Sequence, residues 1–283
     1  MKHRKVRIEV DNSEFQFVET LRRNRTKRQR HGAFFVEGVR SINAVIHAGW
    51  QIQGIYHAYD RPLSDWAKQT VSATHEATVF QLAGPLMAQL SQRDEPSELV
   101  MVVRIPDDDP SRIPIDENLL VVLVDRPASP GNLGTLIRSC DALGAHGVVI
   151  TGHATDLYSP EVVRATTGSL FALPIVRLPS HREALSWVAE LKVHLPRLHI
   201  VGSSAQASSH VFEHDFRMPT ILCLGNETWG LSKNYRTACD TVIRIPMPYA
   251  RTATSLNMAC AATTLLYEVQ RQRAKSTESA THD

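Results

Sequence analysis

Leu119-Leu120-Val121-Val122-Leu123-Val124-Asp125 is a continuous apolar run that stops at an acid and a Pro-rich loop. A strand with one wet face alternates apolar and polar residues. A run with no polar partner is the signature of a strand buried on both faces, as in a parallel sheet. A helical pattern follows over about Asn132–Leu143, with Gly144 in the C-terminal capping position. Apolar runs near 147–151, 174–178, 198–202, 220–224 and 242–245 then alternate with helical patterns at 160–167 and 182–194. A last helix opens near Ser255-Leu256-Asn257. This alternation predicts an α/β parallel sheet with its ligand loops at the C-terminal ends of the strands.

Upstream the pattern is also α/β, on a smaller scale. Expected elements are a polar, Arg-rich helix or turn over 14–31, strands at 33–37, 51–57 and 99–103, and helices at 39–47, 64–71 and 82–90. Pro106-Asp-Asp-Asp-Pro110 is acidic, proline-rich and without period. The expected division is a small domain over 1–105, a linker over 106–117, a larger domain over 118–272 and a flexible tail over 273–283. Of the 283 residues 43% are hydrophobic, enough for a core. Without a membrane-length apolar run or an N-terminal signal core, a cytoplasmic protein is expected. The four cysteines (Cys140, Cys223, Cys239, Cys260) are scattered and read as reduced thiols.

Charge is unevenly placed. Residues 1–31 carry ten Lys or Arg against four acids, a net +6 in a chain of net +2, so the rest carries −4. A local positive segment suits a polyanion and equally suits a solvated basic arm.

Three loops carry the candidate chemistry. Pro130-Gly131-Asn132-Leu133-Gly134 joins a strand end to a helix N-terminus, where free amides favour an anion. Its spacing is wrong for a dinucleotide fingerprint and the distal acid is missing. Asn132 can also be a plain cap, and Arg138 a plain surface residue. Gly225-Asn226-Glu227 follows a buried strand; a Glu there needs a partner or water, and Arg138 is the natural candidate. Ser255 fits a helix cap. His210 and His214 have metal spacing but no acid beside them, and no metal site is expected.

The three loops in this order resemble the three motifs of the SpoU branch of the SPOUT RNA methyltransferases: Pro130-x-Asn132-x-Gly134-x-x-x-Arg138, then Gly225-Asn226-Glu227-x-x-Gly230-Leu231-Ser232 with Ile245-Pro246-Met247, then Ser255-Leu256-Asn257. Arg164-x-x-x-Gly168 and Pro174 fit between them. More loosely, Arg25 to Arg40, with Phe34-Phe35-Val36-Glu37-Gly38, resembles the family's small RNA-binding domain of ribosomal-protein type.

The resemblance implies a deep trefoil knot in the C-terminal domain and a homodimer with its sites near the interface. It implies S-adenosylmethionine held by Gly202, Ser203, Ser204, Leu224, Gly225, Ile245, Met247 and Leu256. It implies methyl transfer to a ribose 2′-hydroxyl of RNA, with rRNA favoured over tRNA. Arg138, Asn132, Glu227, Ser255 and Asn257 are the expected catalytic set, with Glu227 fixing Arg138 by a bidentate pair. Arg25, Lys27, Arg28, Arg30, Arg40 and Arg251 are the expected RNA contacts. The rivals are an inactive RNA-binding assembly factor that kept the knot, and a nucleotide-dependent oxidoreductase on an ordinary doubly wound sheet. The missing ribose-binding acid weighs against the oxidoreductase.

Overall fold

The computed structural model describes residues 4–91, 95–248 and 252–280, with side chains through residue 274. Its chain forms two compact units. The first takes residues 1–106 and 156–172, the second 107–155 and 173–283.

The first unit begins with β1 (Lys5–Ile8), α1 (Ser13–Arg23), α2 (Arg25–His31), β2 (Ala33–Glu37) and α3 (Val39–His47). It continues with β3 (Ile52–Ala58), α4 (Asp65–Ala73), β4 (Thr78–Leu82), α5 (Gly84–Leu90) and β5 (Val100–Arg104). Its sheet runs β1-β4-β3-β5-β2, with β5 antiparallel to both neighbours and the other pairs parallel. Two of its strands differ from expectation: β1 stands where a basic arm is predicted, and β4 lies almost wholly in a stretch with no predicted element, sharing Leu82 with the helix expected over 82–90. The Arg-rich stretch is two helices because Asn24 interrupts it. Asn24 ends α1 and caps α2, its Oδ1 accepting from the Lys27 amide at 3.1 Å.

The second unit opens with β6 (Leu120–Asp125), α6 (Pro130–Ala142) and β7 (Gly147–Thr151). The chain then returns to the first unit for α7 (Pro160–Ala165) and α8 (Ser169–Ala172). So Arg164 and Gly168 pack in the first unit, and Gly168 sits against Ala44 of α3. Back in the second unit come β8 (Ile175–Leu178), α9 (His181–His194), β9 (His199–Ser203) and β10 (Ser209–His210). The last elements are β11 (Thr220–Leu224), α10 (Lys233–Ala238), β12 (Thr241–Arg244) and α11 (Met258–Ala280). All seven strands are parallel, in the order β10-β12-β9-β11-β6-β7-β8.

The apolar reading of β6 holds: all six of its residues are buried. Val121 and Leu123 pack with Ile221 and Cys223 of β11 and with Trp187, Val188 and Leu191 of α9. Burying each such Val or Leu contributes about 1.5–3 kcal/mol relative to exposure. Elsewhere in the unit α6 packs against α11, joined by Ser139 Oγ and Thr263 Oγ1 at 2.7 Å. Gln270 Nε2 also donates to the Leu143 carbonyl at 2.7 Å.

α11 starts later and ends later than its sequence suggests. Its cap is Asn257, not Ser255: Asn257 Oδ1 accepts from the Ala259 amide at 2.8 Å, and its carbonyl accepts from the Ala261 amide at 2.8 Å. At the other end, polar residues hold the helix into the stretch predicted as a flexible tail over 273–283. Arg273 donates to the carbonyls of Phe216, Met218 and Leu119 at 3.0, 2.9 and 3.2 Å. No helix among the described residues is long and apolar enough to cross a membrane.

His214 lies between the rings of His199, 5.8 Å away, and Phe216, 4.7 Å away. Burial lowers its pKa below the ordinary 6.5, and the neighbouring His199 lowers it further, against a smaller pull upward from Asp215. A depressed histidine pKa means that the unfolded chain binds the proton more readily than the folded one. Stability therefore falls as pH drops below about 6.5. Denaturant midpoints at pH 7.5 and 5.5 should differ less for His214→Phe than for the wild type.

Candidate active site

The three motif loops meet at the C-terminal end of the parallel sheet. The loop after β6 is strained at its start. Arg126 has φ 50, in the left-handed region that a non-glycine residue enters at a cost of about 1–3 kcal/mol. Its backbone is held on both sides. The Arg126 amide donates to the Thr151 carbonyl at 2.9 Å, and its carbonyl accepts from Asn226 Nδ2 at 2.8 Å. Ser129 then caps α6, its Oγ accepting from the Asn132 amide at 3.4 Å.

Glu227 binds this loop, and not Arg138. Its carboxylate accepts from the Ala128 and Ser129 amides at 3.0 and 3.2 Å and from Asn132 Nδ2 at 3.4 Å. The amides at the start of α6 are unsatisfied donors at the positive end of the helix dipole, so a carboxylate belongs there. Burial alone would raise the Glu227 pKa; the backbone amides and Asn132 outweigh it, and the net shift is downward. Glu227 thus stays ionised at neutral pH with both oxygens engaged, which makes it a clamp and not a free base. The expected Arg138–Glu227 pair is not formed. Arg138 is exposed, nine residues beyond the cap, or about 13 Å along the helix axis.

Asn132 joins the motifs. Its Nδ2 donates to Glu227 while its Oδ1 accepts from Asn257 Nδ2 at 2.9 Å. The same Asn257 caps α11 through its Oδ1. One side-chain relay, Asn257 to Asn132 to Glu227, therefore ties together loops 125 residues apart in the chain for its first link and 95 for its second.

These loops enclose a cavity of about 720 Å³, within the usual range for small-molecule sites. Its walls include Asn132, Ser203, Ser204, Leu224, Gly225, Glu227, Ile245, Met247, Ser255, Leu256 and Asn257, all expected from the motifs. Gly202 lies in β9 immediately before the lining pair Ser203-Ser204. Arg138 does not line the cavity. Arg251 falls outside the described residues. Arg236, Gln206 and Trp229 also line the cavity. Sequence reading misses Arg236 because it misses α10, a six-residue helix too short for a clear period. Arg236 Nη2 donates to Ser204 Oγ at 3.3 Å. Apolar side chains from Leu224, Ile245, Met247, Leu256 and Met258 face hydroxyls from Ser203, Ser204 and Ser255. That mixture suits a ligand with an apolar body and a few polar groups, such as an adenosine-bearing cofactor.

Among the expected RNA contacts, Arg28 is a correction. Its side chain is buried, with its donors on Asp156 Oδ2 and on the Leu21 and Arg22 carbonyls. It pins α1, α2 and the 156–172 segment inside the first unit, and its burial keeps it from a phosphate. Arg30 and Arg40 are exposed, and Arg25 and Lys27 are half-buried.

Comparison with known proteins gives the same reading. The SpoU rRNA methylase family matches residues 119–267, and the SpoU L30e-like domain matches residues 12–102. A 23S rRNA (uridine(2479)-2′-O)-methyltransferase of Streptomyces viridochromogenes is 46% identical over 268 residues, covering 94% of this chain and 92% of that one. The crystal structure of the SpoU methyltransferase AviRb from that organism, in complex with the cofactor AdoMet, superposes with a TM-score of 0.87. It is 46% identical and covers 93% of this chain and 99% of that chain. An AdoMet-bound rRNA methyltransferase from Sinorhizobium meliloti superposes with a TM-score of 0.83 at 28% identity, covering 94% of this chain and 98% of that one. With its three motifs tied by the Asn257–Asn132–Glu227 relay and matches along nearly its whole length, the chain belongs to the SpoU rRNA methylase family.

Proposed function

We propose that this chain is an S-adenosylmethionine-dependent RNA methyltransferase that modifies a ribose 2′-hydroxyl, with rRNA favoured over tRNA as substrate. The observation that carries the reading is the relay. Asn132, Glu227 and Asn257 form one hydrogen-bonded set on the wall of a cofactor-sized cavity. The 46% identical relative named for 2′-O-methylation of 23S rRNA supports the choice of rRNA.

When bound, S-adenosylmethionine supplies a methyl group on a positively charged sulfonium. The residues that would hold it are Ser203, Ser204, Leu224, Gly225, Ile245, Met247 and Leu256, with Gly202 behind them. The attacking ribose hydroxyl is a poor nucleophile and must lose its proton as the new C–O bond forms. The guanidinium of Arg138 offers donors and no acceptor, so it is no base by itself. Its task is to hold an RNA phosphate and the hydroxyl in line, with a phosphate oxygen or a transiently neutral guanidine taking the proton. Asn132, Ser255 and Asn257 place the ribose, and Glu227 keeps their loop fixed, so positioning supplies much of the rate.

Arg138 does not line the motif cavity of its own chain, and this supports a homodimer. Thr135 and Arg138 on α6 and Cys260, Thr264 and Tyr267 on α11 are exposed, with Tyr267 at 62% and Leu256, at the cavity mouth, at 43%. A second copy packed on this face would bring each Arg138 to its partner's cavity. The C-terminal knot belongs to the same reading. In the first unit, Arg30 and Arg40 are the exposed cations for RNA, with Arg25 and Lys27 beside them. The setting is the cytoplasm. Calorimetric titration with S-adenosylmethionine and transfer of its labelled methyl to rRNA and tRNA test the reading. Micromolar binding with transfer to rRNA is expected; binding without transfer would identify an assembly factor instead.

A further inference from the structure

At the cavity rim one large aromatic ring stands in water. Trp229 is 81% exposed. Such a ring buries 150–250 Å² when covered, so leaving it bare forgoes a large hydrophobic gain. The backbone beneath it is held firmly. Asn226 and Gly230 exchange two backbone hydrogen bonds, at 3.1 and 2.8 Å. Asn226 Oδ1 accepts from the amides of Thr228 and Trp229 at 2.8 and 3.2 Å. The same side chain's Nδ2 ties the hairpin to Arg126. Glu227, two residues before the ring, grips the start of α6. A bare ring on an anchored hairpin is a platform: its position is fixed relative to Asn132 and Asn257, while its faces are free.

We propose that Trp229 is a positioning residue that stacks on an unpaired nucleobase of the RNA at or beside the target nucleotide. The proposal rests on the RNA 2′-O-methyltransferase reading. Proteins that read RNA loops and bulges splay the bases out of the stack, and a splayed base needs a new face to cover it. An indole offers that face to any base, so it fixes position without selecting sequence. The ring projects from the rim at high exposure, which favours a ligand arriving from solvent over one seated inside the cavity.

The test compares full-length wild type with Trp229→Ala and Trp229→Phe. Rates are measured at saturating S-adenosylmethionine over a range of rRNA concentrations, and RNA affinity by fluorescence anisotropy. Loss of one base–aromatic stack should raise the KM for RNA about tenfold or more in Trp229→Ala, with kcat within about threefold. Trp229→Phe should return the KM to within about threefold of wild type. Cofactor affinity and oligomeric state should not change. An RNA KM within twofold of wild type overturns the proposal. So does weaker cofactor binding with RNA binding intact, which would make the ring a cofactor lid. Conversion of a dimer to a monomer also overturns it, since the ring would then join two copies. Wild-type protein that binds RNA without methylating it overturns the functional reading instead, and the affinity ratio of Trp229→Ala to wild type still decides the stack.

Discussion

Gly225→Ala should abolish methyl transfer and weaken S-adenosylmethionine binding by at least about 100-fold, or about 2.8 kcal/mol. The reason is close approach. A Cβ on Gly225 would lie 2.0 Å from the Gly230 carbonyl carbon, 2.1 Å from the Leu231 nitrogen and 2.3 Å from the Gly230 oxygen. All three are backbone atoms, so no rotamer change relieves the clash. The hairpin must swing off β11, breaking the paired bonds between Asn226 and Gly230. Overpacking typically costs about 1–3 kcal/mol, and here that cost falls on the cofactor wall. The sheet beneath is untouched, so far-UV circular dichroism should match wild type while calorimetry shows the lost affinity. Wild-type cofactor affinity in Gly225→Ala would show that the hairpin does not form the wall.

Arg138→Ala should lower kcat by about a thousandfold and leave cofactor affinity within twofold. A preorganised donor aimed at developing charge contributes about 10²–10³ in rate, and Arg138 is the exposed cation of the first motif. It touches neither Glu227 nor the cavity of its own chain, so removing it disturbs no wall. Arg138→Lys should rescue poorly, because an ammonium lacks the planar fork that grips a phosphate. Retained transfer in Arg138→Ala sinks this assignment; lost cofactor binding would give the residue a structural role. Single-turnover rates with titration calorimetry separate the cases.

How far the sequence could be read depended on how each element buries itself. β6, β7 and β11 are covered on both faces, and a strand with no wet face is a plain apolar run. β1 and β4 carry little such signal. β1 is an edge strand that alternates charged and apolar residues, Lys5-Val6-Arg7-Ile8, and charge hides a strand inside a basic stretch. β4 keeps Thr78 and Gln81 half-exposed, and its Leu82 joins visually to the helix that follows. The motif residues Asn132, Glu227 and Asn257 stand at helix starts and a strand end, and the structure brings them together on the cavity wall. Their partners were less legible. Opposite charge suggested Arg138 for Glu227, but backbone amides at a helix start compete for a carboxylate, and they are nearer. Ser255 and Asn257 are both good caps, and only the structure shows that Asn257 caps α11 while also binding Asn132. Arg28 looked like its basic neighbours; its burial comes from Asp156, 128 residues away in sequence.

The most direct measurement is product analysis of methylated RNA. Ribosomal RNA treated with the protein and labelled S-adenosylmethionine is digested to nucleosides and analysed by mass spectrometry. The account predicts label confined to one 2′-O-methylated nucleoside, absent when Gly225→Ala replaces the wild type and formed about a thousandfold more slowly with Arg138→Ala. Label on a base, or no label from protein that binds the cofactor, would contradict it.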